Sequence, residues 1–84
     1  MSNIIYTKST CIYCVMAKKL LEQLQIDYKE ISIDNNNALR EEMISLSGRK
    51  TVPQIFLDNN HIGGYDDLHD SYKLGKLNKY LNKN

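Results

Sequence analysis

Apolar and polar positions change period several times along this chain, and each change predicts an element. Asn3 to Thr7 is β-branched and aromatic, which predicts a buried strand. From about Val15 the period is helical. Ala17, Leu20, Leu21 and Leu24 recur at three- and four-residue spacing, with Lys18, Lys19, Glu22 and Gln23 on the other face. Asp27 to Asp34 alternates again, with Tyr28, Ile31 and Ile33 among polar residues, and predicts a second strand. Strand, helix and strand at this length form a βαβ unit, which requires parallel strands and a crossover that is almost always right-handed.

Asn36 or Asn37 offers a cap for the next helix. Leu39, Met43 and Leu46 make its stripe, and Gly48 fits its C-terminal stop. Gln54 to Leu57 predicts a third strand. Asp58-Asn59-Asn60 has turn chemistry, and His61-Ile62-Gly63 returns as a short fourth strand. From Asp66 onward, Leu68, Tyr72, Leu77 and Leu81 predict either one helix broken near Gly75 or two short helices. The order is β-α-β-α-β-β-α, an α/β fold with a small four-stranded mixed sheet flanked by helices. With 84 residues, the chain is expected to form one domain over 1–84.

Charge narrows the function classes. The formal charge of +1 creates no strong field, so neither nucleic acid nor a membrane surface is expected as a partner. No basic segment followed by a long apolar run opens the chain, and no stretch reaches the length of a membrane span. Two cysteines are too few for a disulfide-stapled secreted module. A reducing cytoplasm is the expected location.

Those two cysteines form the pair Cys11-Ile12-Tyr13-Cys14, between the first strand and the first helix. A thiol there sits at the positive end of a helix, which favours the thiolate, and the thiolate is the attacking species. Cys11, outside the first helical turn, is the expected nucleophile; Cys14 is expected to be more buried. Lys8 could add positive charge nearby. A zinc site needs about four ligands. Only His61 and His69 are available besides the cysteines, so thiol chemistry is the stronger reading and no metal is expected.

Two further segments carry chemistry. In Thr51-Val52-Pro53-Gln54, proline precedes an apolar strand. It marks either a simple turn or a cis Val52–Pro53 bond that turns the Val52 backbone outward to pair with an extended peptide. In Gly63-Gly64-Tyr65-Asp66-Asp67, the glycines allow close backbone approach at a helix start. The aspartates either cap that helix or hold an ammonium group. A ligand with both a carboxylate and an ammonium suits this corner.

Together, Cys-x-Tyr-Cys after a strand, Thr-Val-Pro before a strand and Gly-Gly-Tyr-Asp-Asp before a helix resemble the glutaredoxins, closest to the short bacterial dithiol type. The resemblance runs from Ile5 to about Leu81. It implies a thioredoxin-like fold, electron transport in cell redox homeostasis, and reduction of disulfides at the expense of glutathione, a co-substrate and not a tightly bound cofactor. By position it implies Cys11 as nucleophile and Cys14 as resolving thiol. Tyr13 would wall the glutathione groove. Val52, with cis Pro53 and Thr51 alongside, would pair with the cysteinyl unit. Gly64 and Asp66 would receive the γ-glutamyl carboxylate, Tyr65 would belong to the same glutathione site, and Asp67 would face the ammonium. Lys8 and Arg40 would meet the glycyl carboxylate. Partners would be glutathione and disulfide-containing or glutathionylated proteins, met by a monomer.

The chain departs from the family at two positions. Ile12 stands where proline is usual, which restores a donor near Cys11 and predicts an altered thiol or reduction potential. Some glutaredoxins without that proline hold a glutathione-ligated [2Fe-2S] cluster, so a cluster carrier is one alternative; a protein reduced by thioredoxin reductase is the other. Tyr65 replaces a frequent extra cysteine.

Overall fold

Strands form where alternate residues can feed two different cores. A computed structural model describes residues 2–81, with side chains through Lys79. Met1, the residues after Leu81, and the Leu81 side chain of the expected C-terminal stripe lie outside the described part. The elements are β1 (Ile4–Thr7), α1 (Ile12–Gln23), β2 (Lys29–Ser32), α2 (Asn37–Ser47), β3 (Gln54–Leu57), β4 (Asn60–Gly63), α3 (Tyr65–Lys73) and α4 (Leu77–Leu81). This is the order expected from the sequence, with the C-terminal segment resolved into two helices. They part at Gly75, whose φ of 70° is left-handed.

The sheet order is β2-β1-β3-β4. β1 and β2 are parallel, whereas β3 runs antiparallel to both β1 and β4. Ile5, Ile55 and Leu57 point to one face, where they pack with Ala17, Leu20, Leu21, Leu68 and Leu77. Tyr6 and Phe56 point to the other, with Ile33 and Met43. The period of two in the strands therefore sets α1, α3 and α4 on one side and α2 on the other. Among the described residues, no helix is long and apolar enough to cross a membrane.

Several bounds shift by one residue, and two elements, α1 and β2, differ by more, for physical reasons. α1 begins at Ile12, three residues before the expected start, because the Cys11 side chain caps it: its Sγ accepts from the Cys14 N–H at 3.1 Å. Ile12, Tyr13, Val15 and Met16 are exposed, so in this first turn Cys14 alone belongs to the buried face. β2 is shorter than Asp27 to Asp34; Tyr28 and Ile33 pack into the cores from just outside it. α2 matches, with Asn36 capping Leu39 N–H at 3.0 Å and Gly48 ending it at φ 73°.

The strand directions decide what meets. The end of β1 lies beside the start of β3, and the end of β4 lies beside the same point. The segments after β1, before β3 and after β4 therefore share one edge of the sheet. These are the cysteine turn, Thr51–Pro53 and Gly64–Asp67.

Candidate active site

Cys11 precedes α1 in extended backbone, φ −120° and ψ 109°, so its sulfur faces back over the helix start. Besides the Cys14 N–H, Sγ lies 3.6 Å from the Val52 carbonyl oxygen. Cys11 is partly exposed, whereas Cys14 is 1% exposed, and both thiols are free. Burial pushes the Cys14 thiol up to about 12. Its hydrogen bond to Cys11 and the Cys11 charge push the same way, while a backbone hydrogen bond from Lys8 and the Lys18 charge partly oppose them.

The Val52–Pro53 peptide is cis, so this proline is not the simple turn of the first reading. The turn is tied down from behind by Gln54, a polar side chain fully buried in β3. Its amide nitrogen donates to the Thr51 carbonyl at 3.0 Å and to Thr51 Oγ1 at 3.2 Å. That orientation leaves Gln54 Oε1 as an acceptor, 2.8 Å from His61 Nε2. The imidazole must then carry its proton on Nε2.

Burial first, and the Arg49 charge second, hold His61 below its ordinary 6.5. The folded chain therefore binds fewer protons at His61 than the unfolded chain does. Its contribution to stability is complete above 6.5 and declines as pH falls through the lowered folded value. His61→Gln is expected to flatten the stability–pH curve in that window, measured by urea unfolding at a series of pH values. An unchanged slope would rule out His61 as its source.

At the third segment, Gly63 has φ 121° and Gly64 precedes α3. Asp67 reaches back so that its Oδ2 accepts from the Gly64 N–H at 2.9 Å. The same oxygen accepts from Arg49 Nη1 at 2.9 Å. The Arg49 hydrogen bond, more than the Gly64 one, holds the Asp67 carboxyl below its ordinary 3.8. Through one oxygen Asp67 thus caps α3 and holds the guanidinium of Arg49. The Tyr13 and Tyr65 rings lie tilted together, centroids 6.2 Å apart.

A cleft of about 290 Å³ joins the segments, lined by Tyr13, Arg49, Thr51, Val52, Pro53, Gly64, Tyr65, Asp66 and Asp67. Eight of those positions were read from the sequence. Lys8 and Arg40 are absent from the lining. Lys8 is exposed in the turn before Cys11, and Arg40 sits in the first part of α2 with Nη1 3.9 Å from Glu41. Arg49 and Gln54 are the residues that sequence reasoning missed. Gln54 had one visible signal, a polar residue opening the apolar run Gln54-Ile55-Phe56-Leu57. Among the described residues, no group of three or more His, Cys, Asp or Glu side chains could hold a metal ion.

The glutaredoxin family model matches residues 3–62. Glutaredoxin 3 of Escherichia coli (strain K12) is 54% identical over 82 residues, covering 96% of this chain and 99% of the relative. A glutaredoxin of Pseudomonas aeruginosa is 44% identical, covering 93% of each. Among solved structures, glutaredoxin from Brucella melitensis superposes with a TM-score of 0.83 at 41% identity, over all of this chain and 94% of that one. A buckwheat glutaredoxin–glutathione complex gives a TM-score of 0.85 at 32% identity, over 95% of this chain and 76% of that one. The fold is thioredoxin-like.

Proposed function

The chain belongs to the glutaredoxin family, and from that premise we propose that it is a glutathione-dependent thiol–disulfide oxidoreductase. The observation that carries this reading is the 3.6 Å between Cys11 Sγ and the Val52 carbonyl. An extended peptide paired along Val52 brings its own cysteine sulfur beside Cys11. The glutathione bound to the buckwheat relative supports the choice of peptide.

In this reading the Cys11 thiolate attacks the glutathione sulfur of a glutathionylated protein. The mixed disulfide breaks, the protein leaves as a thiolate that takes up a proton, and glutathione stays on Cys11. A second glutathione thiolate attacks the glutathione sulfur of that adduct, releasing glutathione disulfide and restoring the Cys11 thiolate. With a protein disulfide, Cys14 attacks Cys11 in the mixed disulfide and releases the reduced protein. Two glutathiones then reduce the Cys11–Cys14 bond. Burial, then its contacts with Cys11, raise the Cys14 thiol, so Cys14 is the slower of the two to attack.

The roles follow the cleft. Tyr13 walls it, Thr51, Val52 and cis Pro53 form the peptide-pairing edge, and Gly64, Tyr65 and Asp66 line the γ-glutamyl carboxylate site. Asp67 takes the ammonium. Lys8, before Cys11, remains the candidate for the glycyl carboxylate; Arg40 joins it only if its side chain turns away from Glu41. The chain acts as a single-domain monomer in a reducing cytoplasm, on disulfide-containing or glutathionylated proteins.

The test is reduction of a small glutathionyl disulfide, coupled in parallel to glutathione with glutathione reductase and to thioredoxin reductase. Turnover only in the glutathione arm is expected. Turnover only with thioredoxin reductase contradicts the reading. Anaerobic reconstitution with iron and sulfide, read by visible absorbance and by mass in solution, separates the enzyme from a [2Fe-2S] carrier.

A further inference from the structure

Among the described residues that line the cleft, Arg49 is the only cation. Its position is set from two sides. Its N–H donates to Ser47 Oγ at 3.0 Å, and the same hydroxyl donates to its carbonyl at 3.1 Å, fixing the turn after α2. Its Nη1 crosses to Asp67 Oδ2 at the start of α3. The pair therefore ties the Thr51–Pro53 side of the cleft to the Gly64–Asp67 side.

Neither partner is used up by the pair. The Arg49 side chain remains 47% exposed, and a guanidinium has five N–H donors in a fork that suits a carboxylate. The hydrogen bonds from Arg49 and Gly64 both fall on Asp67 Oδ2, and its side chain is 43% exposed, which leaves Oδ1 for a ligand. A positive and a negative group thus stand side by side in one cleft. That is the inverse of an α-amino acid head group, with its ammonium beside its carboxylate.

We infer that Arg49 is a specificity-determining residue: its guanidinium binds the free α-carboxylate of a γ-glutamyl group while Asp67 takes the adjacent ammonium. The inference rests on the glutathione reading. It gives a reason for selecting a γ-linkage, because a peptide linked through the α-carboxylate has none free at that position. Helix N-terminal N–H groups alone would accept any anion.

The experiment measures KM and kcat with glutathione and with 4-aminobutanoyl-cysteinyl-glycine, which lacks only the α-carboxylate, for wild type, R49Q and R49K. R49Q is expected to raise KM for glutathione about tenfold, as loss of one charge-assisted hydrogen-bonded contact does. The loss should appear in KM and not in kcat. With the decarboxylated analogue, R49Q and wild type should agree within about twofold, since the contact is already missing. R49K should recover part of the loss. An unchanged KM for glutathione, or an equal loss on both peptides, overturns the inference and leaves the function standing. A wild-type chain that turns over without glutathione overturns the function and the inference together.

Discussion

Cys11→Ser is expected to abolish reduction of both glutathionylated and disulfide substrates, by on the order of 10³-fold or more, because no other thiol faces the Val52 edge. Cys14→Ser should behave differently. Its sulfur is buried behind Cys11 and held protonated. It has no part in the route where a second glutathione clears the adduct. Removal of glutathione from a glutathionylated protein should therefore persist, while reduction of a protein disulfide fails at the mixed-disulfide stage. Steady-state assays with one substrate of each kind separate the two cysteines. Equal loss of both activities in Cys14→Ser would contradict the division of labour.

Gly63→Ala is expected to damage both the fold and the cleft. A Cβ at Gly63 would stand 2.3 Å from Asp67 Oδ2 and 2.7 Å from its Cγ. The residue also has φ 121°, where side chains are strained. Asp67 cannot give way freely, since Gly64 N–H and Arg49 both hold the oxygen that would be struck. A loss of about 2 kcal/mol or more is expected from strain and overpacking. Gly48→Ala is the control for backbone strain alone: its φ is 73°, and nothing lies within 4 Å of a Cβ there. Urea unfolding should show Gly63→Ala as the less stable of the two, with a raised KM for glutathione that Gly48→Ala lacks. Equal destabilisation would mean that the approach of Asp67 to Gly63 is not a close constraint.

Much of this architecture is legible in the periodicity because the two cores impose it. β3 was read with its true bounds, since Ile55, Phe56 and Leu57 are buried on both faces and a polar turn follows. The beginning of α1 was not, because it depends on a thiol acting as a cap above an exposed apolar turn. Each chemical segment was visible by itself, but how the segments meet appears only in three dimensions. Pro53 is cis, and Asp67 both caps α3 and presents charge. The pairing directions bring the segments together, and no local pattern states those directions. Arg49 and Gln54 were given no role because their value lies in partners, Asp67 for one and Thr51 with His61 for the other. As contacts for a glycyl carboxylate, Lys8 and Arg40 came from resemblance alone, and neither lines the cleft. Ile12 is 67% exposed beside Cys11, so replacing it with proline would change the backbone at the helix start and not the packing.

The most direct measurement treats the Cys14→Ser chain with glutathione disulfide and maps the adduct by peptide mass spectrometry. A single glutathionyl group on Cys11, removed by added glutathione, is the expected result. Absence of an adduct on Cys11, or an adduct that glutathione fails to clear, would contradict a glutathione site built around Cys11 and Val52.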